Sequence, residues 1–166
     1  MRVIAVLLLL FAFPVSAGAC GPESRCEVPG GYYLAATPEE WDGTSPLSLV
    51  VYFHGWNDSP EGTFRNRSMV DPVLARGALF VAPYAQIGYW RQIGEGRAEG
   101  GRDEAAFIRA VVADIRKRWP IDEGRSLAAG FSRGASMVWK AFIAGSIPTW
   151  SSRRNRTPRP SPIWRR

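Results

Sequence analysis

The feature that most constrains the fold is a five-residue run, Gly130-Phe131-Ser132-Arg133-Gly134, between an apolar strand-like segment and a helix-like segment. Glycines placed two residues before and two residues after a serine let a strand and the following helix approach more closely than side chains would permit. We therefore predict a sharp strand-to-helix turn, a nucleophile elbow, with Ser132 exposed at its tip. The alternative is a plain turn in which the serine only caps the helix.

Segments of two kinds alternate around this turn. Strand-length apolar runs occupy Leu47 to His54, Ala78 to Ala82 and Arg125 to Phe131, and Gly31 to Thr37 is a shorter first strand. Runs that are apolar almost throughout are typical of parallel strands buried on both faces of a sheet.

Helical segments separate these runs. A helix start is indicated at Ser59, with proline in the first turn, and Asp103 to Trp119 has one apolar stripe at three- and four-residue spacing. A further helix is predicted over Ala135 to Ile143. The alternation predicts an α/β fold, a mostly parallel sheet with helices on both faces.

Residues 1–19 have the pattern of a signal peptide. Arg2 precedes the apolar run Val3 to Phe13, and Ala17-Gly18-Ala19 forms a small-residue cleavage site. The run is too short to span a bilayer, which takes about 20 residues. We expect a secreted protein, extracellular or periplasmic, with no membrane span after signal removal; a membrane anchor is the alternative.

Both cysteines, Cys20 and Cys26, follow the predicted cleavage site. Because an exported protein meets an oxidising compartment, we expect them to form a small disulfide loop. The alternative is a lipoprotein in which Cys20 is acylated and Cys26 stays free.

The positive charge belongs to one end of the chain. The formal net charge is +6, and residues 151–166 hold six arginines and no acid, so the rest of the chain sums to zero. Residues 145–166 are rich in arginine and proline and lack helix or strand periodicity, which predicts a disordered tail. Nucleic acid is not an expected partner, although a basic tail that binds an anionic surface is an alternative role.

The segment His54-Gly55-Trp56 directly follows the first buried strand. A His-Gly turn at this point can supply one backbone N–H of an oxyanion hole, and the residue after the nucleophile, Arg133, supplies the other. The chain has one histidine, so a surrogate general base at His54 is an alternative. A strand-ending loop without a catalytic role is the remaining alternative.

Five segments in order, CEVPGGYYLA, VVYFHGW, LFVAPYA, RDEAAFIRAVVADI and GFSRGASMVWK, resemble secreted esterases of the polyhydroxybutyrate depolymerase type, which are related to feruloyl esterases. The resemblance runs from about Cys20 to Lys140. It implies an α/β-hydrolase fold and hydrolysis of a carboxylic ester, possibly polymeric, by a Ser-His-Asp triad without metal or organic cofactor. Ser132 matches the nucleophile, and His54, Gly55 and Trp56 match the oxyanion loop.

The sequence departs from this family after Ala141. Members continue with strands that supply the acid and the histidine, whereas no Asp, Glu or His follows Ser132 here. We expect a partial α/β-hydrolase domain over residues 20–144 that lacks the C-terminal strands, through truncation or a reading-frame change, with impaired activity. An inactive hydrolase-like binding module is an alternative function.

Overall fold

The computed structural model describes residues 20–91 and 101–143. The predicted signal peptide and basic tail lie outside the described residues. The strands are β1 (Cys26–Val28), β2 (Gly31–Ala36), β3 (Leu47–Phe53), β4 (Ala78–Pro83) and β5 (Ile121–Gly130). The helices are α1 (Pro60–Arg65), α2 (Arg67–Leu74), α3 (Glu104–Arg118) and α4 (Arg133–Ile143).

The strands form one mixed sheet in the order β1-β2-β4-β3-β5. β3 runs parallel to β4 and to β5, as the alternation of strands and helices predicts. β1 pairs antiparallel with β2, and β2 pairs antiparallel with β4. The short strand β1 was not predicted, because three residues carry too little periodicity to be recognised.

Helices cover both faces of this sheet. On one face, α3 and α4 bury an apolar cluster that includes Val51, Phe107, Val111, Ile115 and Met137. On the other face, α1 and α2 bury a smaller cluster of Tyr32, Leu34, Phe64, Val70, Phe80 and Ala82. Successive side chains of a strand therefore enter opposite clusters, as Tyr33 and Leu34 of β2 do, which gives the layers of an α/β fold.

Two helices begin at the predicted caps. The Ser59 hydroxyl accepts a hydrogen bond from the Gly62 N–H at 3.0 Å, and an Asp103 carboxylate oxygen accepts one from the Ala106 N–H at 3.0 Å. Each bond satisfies an N–H that has no partner within its own helix. The helix that starts after Ser59 breaks at Asn66, which the sequence pattern did not indicate.

The prediction that Arg125 to Phe131 is a buried strand is wrong in one respect. The strand exists, and it begins earlier, at Ile121, but none of its side chains is fully buried and Leu127 is 57% exposed. Within the described part of the chain, β5 pairs with β3 alone and so lies at the edge of the sheet. An edge strand has one neighbour rather than two, which leaves part of its surface in contact with water.

A disulfide joins Cys20 and Cys26, with their Cα atoms 4.9 Å apart. It ties Cys20 to the start of β1, which confirms the expected disulfide. Within residues 20–91 and 101–143, every helix falls short of the length and apolarity needed to cross a membrane.

Candidate active site

The backbone turns sharply between β5 and α4. Ser132 has φ = +53°, in the left-handed region that residues other than glycine seldom adopt. The Gly134 N–H donates to the Phe131 carbonyl at 2.8 Å, and the Ala135 N–H donates to the Ser132 carbonyl at 3.0 Å, which closes the turn into the helix. Ser132 is exposed at its tip, and such strained conformations cluster at functional sites.

The two glycines of the motif lie where a side chain would not fit. A Cβ atom on Gly130 would stand 2.6 Å from the carbonyl carbon and oxygen of Gly134. A Cβ atom on Gly134 would overlap the Phe53 carbonyl oxygen at the end of β3. These are backbone atoms, which cannot swing aside, so the close approach of strand and helix requires glycine at both positions.

The loop after β3 lies beside this turn. The register of the parallel pair sets Phe53 opposite Gly130, and the Phe131 N–H donates to the Phe53 carbonyl at 3.2 Å. A Cβ atom on Gly55 would stand 3.1 Å from the ring of Phe131. The segment from His54 to Trp56 is thus adjacent to the predicted elbow. Two segments that each supply an N–H to one oxyanion hole must lie next to each other in this way.

The imidazole of His54 is fully buried behind this loop. Its Nδ1 lies 2.8 Å from the Gly55 carbonyl oxygen, so Nδ1 donates, and Nε2 has no hydrogen-bond partner among the described residues. Burial lowers the pKa of His54, which favours the neutral ring. The Trp90 Nε1–H donates to the His54 carbonyl at 3.1 Å and anchors the loop from the other side.

A side chain so enclosed does not face a substrate at the exposed Ser132. The geometry therefore favours a structural role for His54, in which its side chain shapes the loop, over a role as surrogate base. The chain has no second histidine. Within the described ranges there is also no group of three or more metal-ligand side chains.

The aromatic side chains near the turn divide into two kinds. Trp90 is fully buried and packs edge-on against Phe53, with ring centroids 5.3 Å apart. Trp56 is 66% exposed and lies against Tyr89, with ring centroids 5.7 Å apart. Trp90 therefore supports the loop from within the core, whereas Trp56 is exposed and Tyr89 half-buried, and both lie beside Arg133.

No protein-family model matches the chain. Among curated proteins, it is 25% identical over 116 residues to the probable feruloyl esterase C of Aspergillus clavatus, covering 66% of this chain and 40% of that protein. It is also 25% identical over 124 residues to the feruloyl esterase C of Emericella nidulans, covering 71% of this chain and 43% of that protein.

Solved structures resemble the fold. A thermostable esterase matches with a TM-score of 0.52 and 16% identity, over 70% of this chain and 34% of its own. A ferulic acid esterase matches with a TM-score of 0.52 and 17% identity, over 70% of this chain and 50% of its own. This chain is related to esterases and has an α/β-hydrolase-like fold. It spans about two fifths of the length of the curated relatives it matches.

One buried ion pair in this esterase relative escaped the sequence analysis. The Arg102 guanidinium lies 2.7 Å from the Glu104 carboxylate and donates to the carbonyls of Gly30 and Tyr84, both at 2.9 Å. Burial lowers the pKa of Arg102 and raises that of Glu104. The pair joins the β1–β2 turn and the end of β4 to α3, and the only sequence signal was a charged pair at a helix start.

Proposed function

We propose that this chain carries the nucleophile and the oxyanion loop of a secreted serine esterase of the polyhydroxybutyrate depolymerase type. Its substrates would be carboxylic esters, either a polyester or an aryl ester, and no cofactor is involved. The observation that carries the proposal is the left-handed Ser132, held between two glycines that backbone atoms enclose and next to the His54-Gly55-Trp56 loop. Relatives named feruloyl esterases support the same chemistry.

In the proposed reaction, the Ser132 Oγ attacks the ester carbonyl carbon. The bond from that carbon to the alcohol oxygen then breaks, and the alcohol leaves with the proton that the Ser132 hydroxyl gives up. Water then hydrolyses the acyl-serine, which releases the acid and restores the Ser132 hydroxyl. Negative charge on the carbonyl oxygen would be stabilised by the Arg133 N–H and by an N–H of the loop at Gly55 and Trp56.

We expect turnover by this chain to be low. The imidazole of His54 is enclosed behind the loop and does not face the exposed Ser132. Enzymes that lose a triad member retain roughly 10³–10⁴-fold catalysis over water, from the oxyanion hole and binding. The buried His54 also favours a second candidate function, a hydrolase-like binding module without turnover.

Secretion is part of the proposal. It is supported by the signal-peptide pattern of residues 1–19 and by the Cys20–Cys26 disulfide, since disulfides persist in oxidising compartments.

Hydrolysis of p-nitrophenyl butyrate by the full chain tests the role of Ser132. We expect Ser132→Ala to lower the protein-dependent rate to the part that the oxyanion hole and binding supply, and Ser68→Ala, an exposed serine on α2, to leave the rate unchanged. Equal rates for the wild type and Ser132→Ala would reject catalysis by Ser132. A fluorophosphonate probe separates the two functions, because an esterase forms a covalent adduct on Ser132 that mass spectrometry detects and a binding module forms none.

A further inference from the structure

A cleft of about 980 Å³ opens at the end of the sheet away from Ser132. It is lined by the loop between β2 and β3, by α2, by Leu47 at the start of β3 and by Gly77 just before β4. Because β3 runs parallel to both β4 and β5, the starts of β3 and β4 lie opposite the end of β5, where the elbow begins. The cleft is therefore separate from the candidate active site.

The lining of this cleft combines apolar and acidic side chains. Trp41, Pro46 and Leu74 are among the apolar residues. Arg67 and Asp71 of α2 form an ion pair with each other, so they add little net charge. The other charged residues that line the cleft are the carboxylates Glu39, Glu40 and Asp42. The cleft thus matches a ligand that is both apolar and cationic.

The negative charge is concentrated in the loop between β2 and β3. Glu39 and Glu40 are exposed, and neither forms an ion pair within residues 20–91 and 101–143. The Asp42 carboxylate accepts hydrogen bonds from the Ser45 hydroxyl and from the N–H groups of Ser45 and Thr44. These bonds lower the pKa of Asp42 to about 2, so Asp42 is ionised at neutral pH.

The indole of Trp41 is fixed in the same loop. Its Nε1–H donates to the Ser45 carbonyl at 2.9 Å, and the Trp41 backbone N–H donates to the Pro38 carbonyl at 3.2 Å. The ring is half-buried, with one part packed on the core and the rest accessible in the cleft. An accessible indole beside carboxylates is a favourable surface for a guanidinium, which stacks on aromatic rings and pairs with carboxylates.

The chain itself contains a segment of the complementary chemistry. Residues 151–166 hold six arginines and no acid, and Pro158, Pro160 and Pro162 alternate with other residues. Proline-rich segments favour the extended polyproline II conformation, which docks on aromatic-lined grooves at a low cost in conformational entropy. We call residues 151–166 the basic segment.

The basic segment is long enough to reach the cleft. Since α4 follows the sharp turn and packs against β5 and β3, it runs back toward the start of those strands. Ile143, at the end of α4, therefore lies at the same end of the sheet as the cleft. Sixteen residues lead from Ile143 to Arg159 and span up to roughly 50 Å when extended, more than the ~30 Å diameter of a small domain.

We propose that the cleft binds the basic segment of the same chain. Arginines of the segment pair with Glu39 and Glu40, and its prolines pack against Trp41. Ordering the segment opposes docking, but the covalent connection raises its effective concentration at the cleft to the millimolar range. This interaction does not depend on the role of Ser132, so fluorophosphonate labelling neither supports nor opposes it.

Paramagnetic NMR on the full chain tests the docking. Both native cysteines are paired, so Ser161→Cys introduces one thiol that accepts a nitroxide spin label. We expect the label to broaden the Trp41 Nε1–H signal, which Trp41→Phe identifies by removing it. The Trp90 Nε1–H signal, from a buried ring beside the elbow, should keep its intensity.

Charge variants of the labelled chain test which groups hold the segment. Glu39→Gln with Glu40→Gln, and separately Arg159→Gln, should restore much of the Trp41 signal. The matched control is Glu27→Gln with Asp58→Asn, which removes two exposed carboxylates outside the cleft and should leave the broadening unchanged. Raising NaCl from about 0.05 M to about 0.5 M should weaken the broadening, because salt screens exposed charges.

Three results would overturn the proposal. The first is a Trp41 signal that the label does not broaden. The second is equal recovery of that signal in the control variant, which would indicate a diffuse attraction rather than binding in the cleft. The third is broadening that arises only between molecules, seen when spin-labelled chain is mixed with isotope-labelled chain, which would make a second copy the occupant.

Discussion

β4 and β5 lie on either side of β3 and pair with it in the same direction, yet their environments differ. All six residues of β4 are buried, whereas no residue of β5 is fully buried. The strand that leads to Ser132 is the less buried of the two. The turn after β5 is held instead by backbone contacts of Phe131 and Gly134 with Phe53 at the end of β3. We infer that the position of Ser132 depends on these backbone contacts rather than on burial of β5.

The largest expected effect belongs to the buried ion pair of Arg102 and Glu104, which joins the start of α3 to the end of β4. Glu104→Gln removes the partner of Arg102 and leaves its charge buried, so the free energy of unfolding should fall by about 3–5 kcal/mol. Glu123→Gln breaks an exposed pair with Arg116 and should cost less than about 1 kcal/mol. Urea denaturation measures both, and similar losses would contradict the difference between buried and exposed pairs.

A matched pair of leucines compares the two strands directly. Leu79 in β4 is fully buried and Leu127 in β5 is 57% exposed. Leu79→Ala should destabilise the fold by about 2–5 kcal/mol, because it leaves a cavity. Leu127→Ala should change stability by no more than about 0.5 kcal/mol, as at other surface positions. A large loss at Leu127 would mean that β5 is covered in solution.

The elbow itself should respond to Gly134→Ala. The added Cβ overlaps the Phe53 carbonyl, so strand and helix must separate, at a cost of about 3 kcal/mol. The separation moves Ser132, and we expect fluorophosphonate labelling to be lost even where folded protein remains. Gly21→Ala is the control, since its Cβ meets no atom within 4 Å. Normal labelling of Gly134→Ala would contradict the close contact.

The smallest expected effect is a pH dependence at the oxyanion loop. The folded state lowers the pKa of His54 below its usual value of 6.5, mainly through burial. Below about pH 6.5 the unfolded state therefore binds a proton that the folded state does not, and stability falls by at most about 1.4 kcal/mol per pH unit. Above that pH, both states are neutral at His54 and this contribution is constant.

Denaturation at about pH 6.5 and about pH 5.5 measures this slope. The chain has no other histidine, so His54→Gln should remove most of it. An unchanged slope in the variant would assign the pH dependence to other groups.

The main elements could be predicted because their signals are local. The apolar stripe of α3, its cap at Asp103 and the continuous apolar run of β4 each depend on residues a few positions apart. The glycines around Ser132 were equally informative, since a turn this tight tolerates few residue types. In contrast, the antiparallel pairing of β2 with β4 brings together residues that are distant in the chain, and its direction has no local signal.

The sequence alone determined the alternation of strands and helices, the strand-to-helix turn at Ser132 and the likeness to esterases. Tertiary structure decided the surroundings of each side chain. It enclosed His54, left Leu127 exposed at an edge, buried Arg102 with Glu104 and set Arg133 against Trp56 and Tyr89. The physical reason is that backbone conformation depends mainly on neighbouring residues, whereas burial and charge pairing depend on which segments meet when the chain folds.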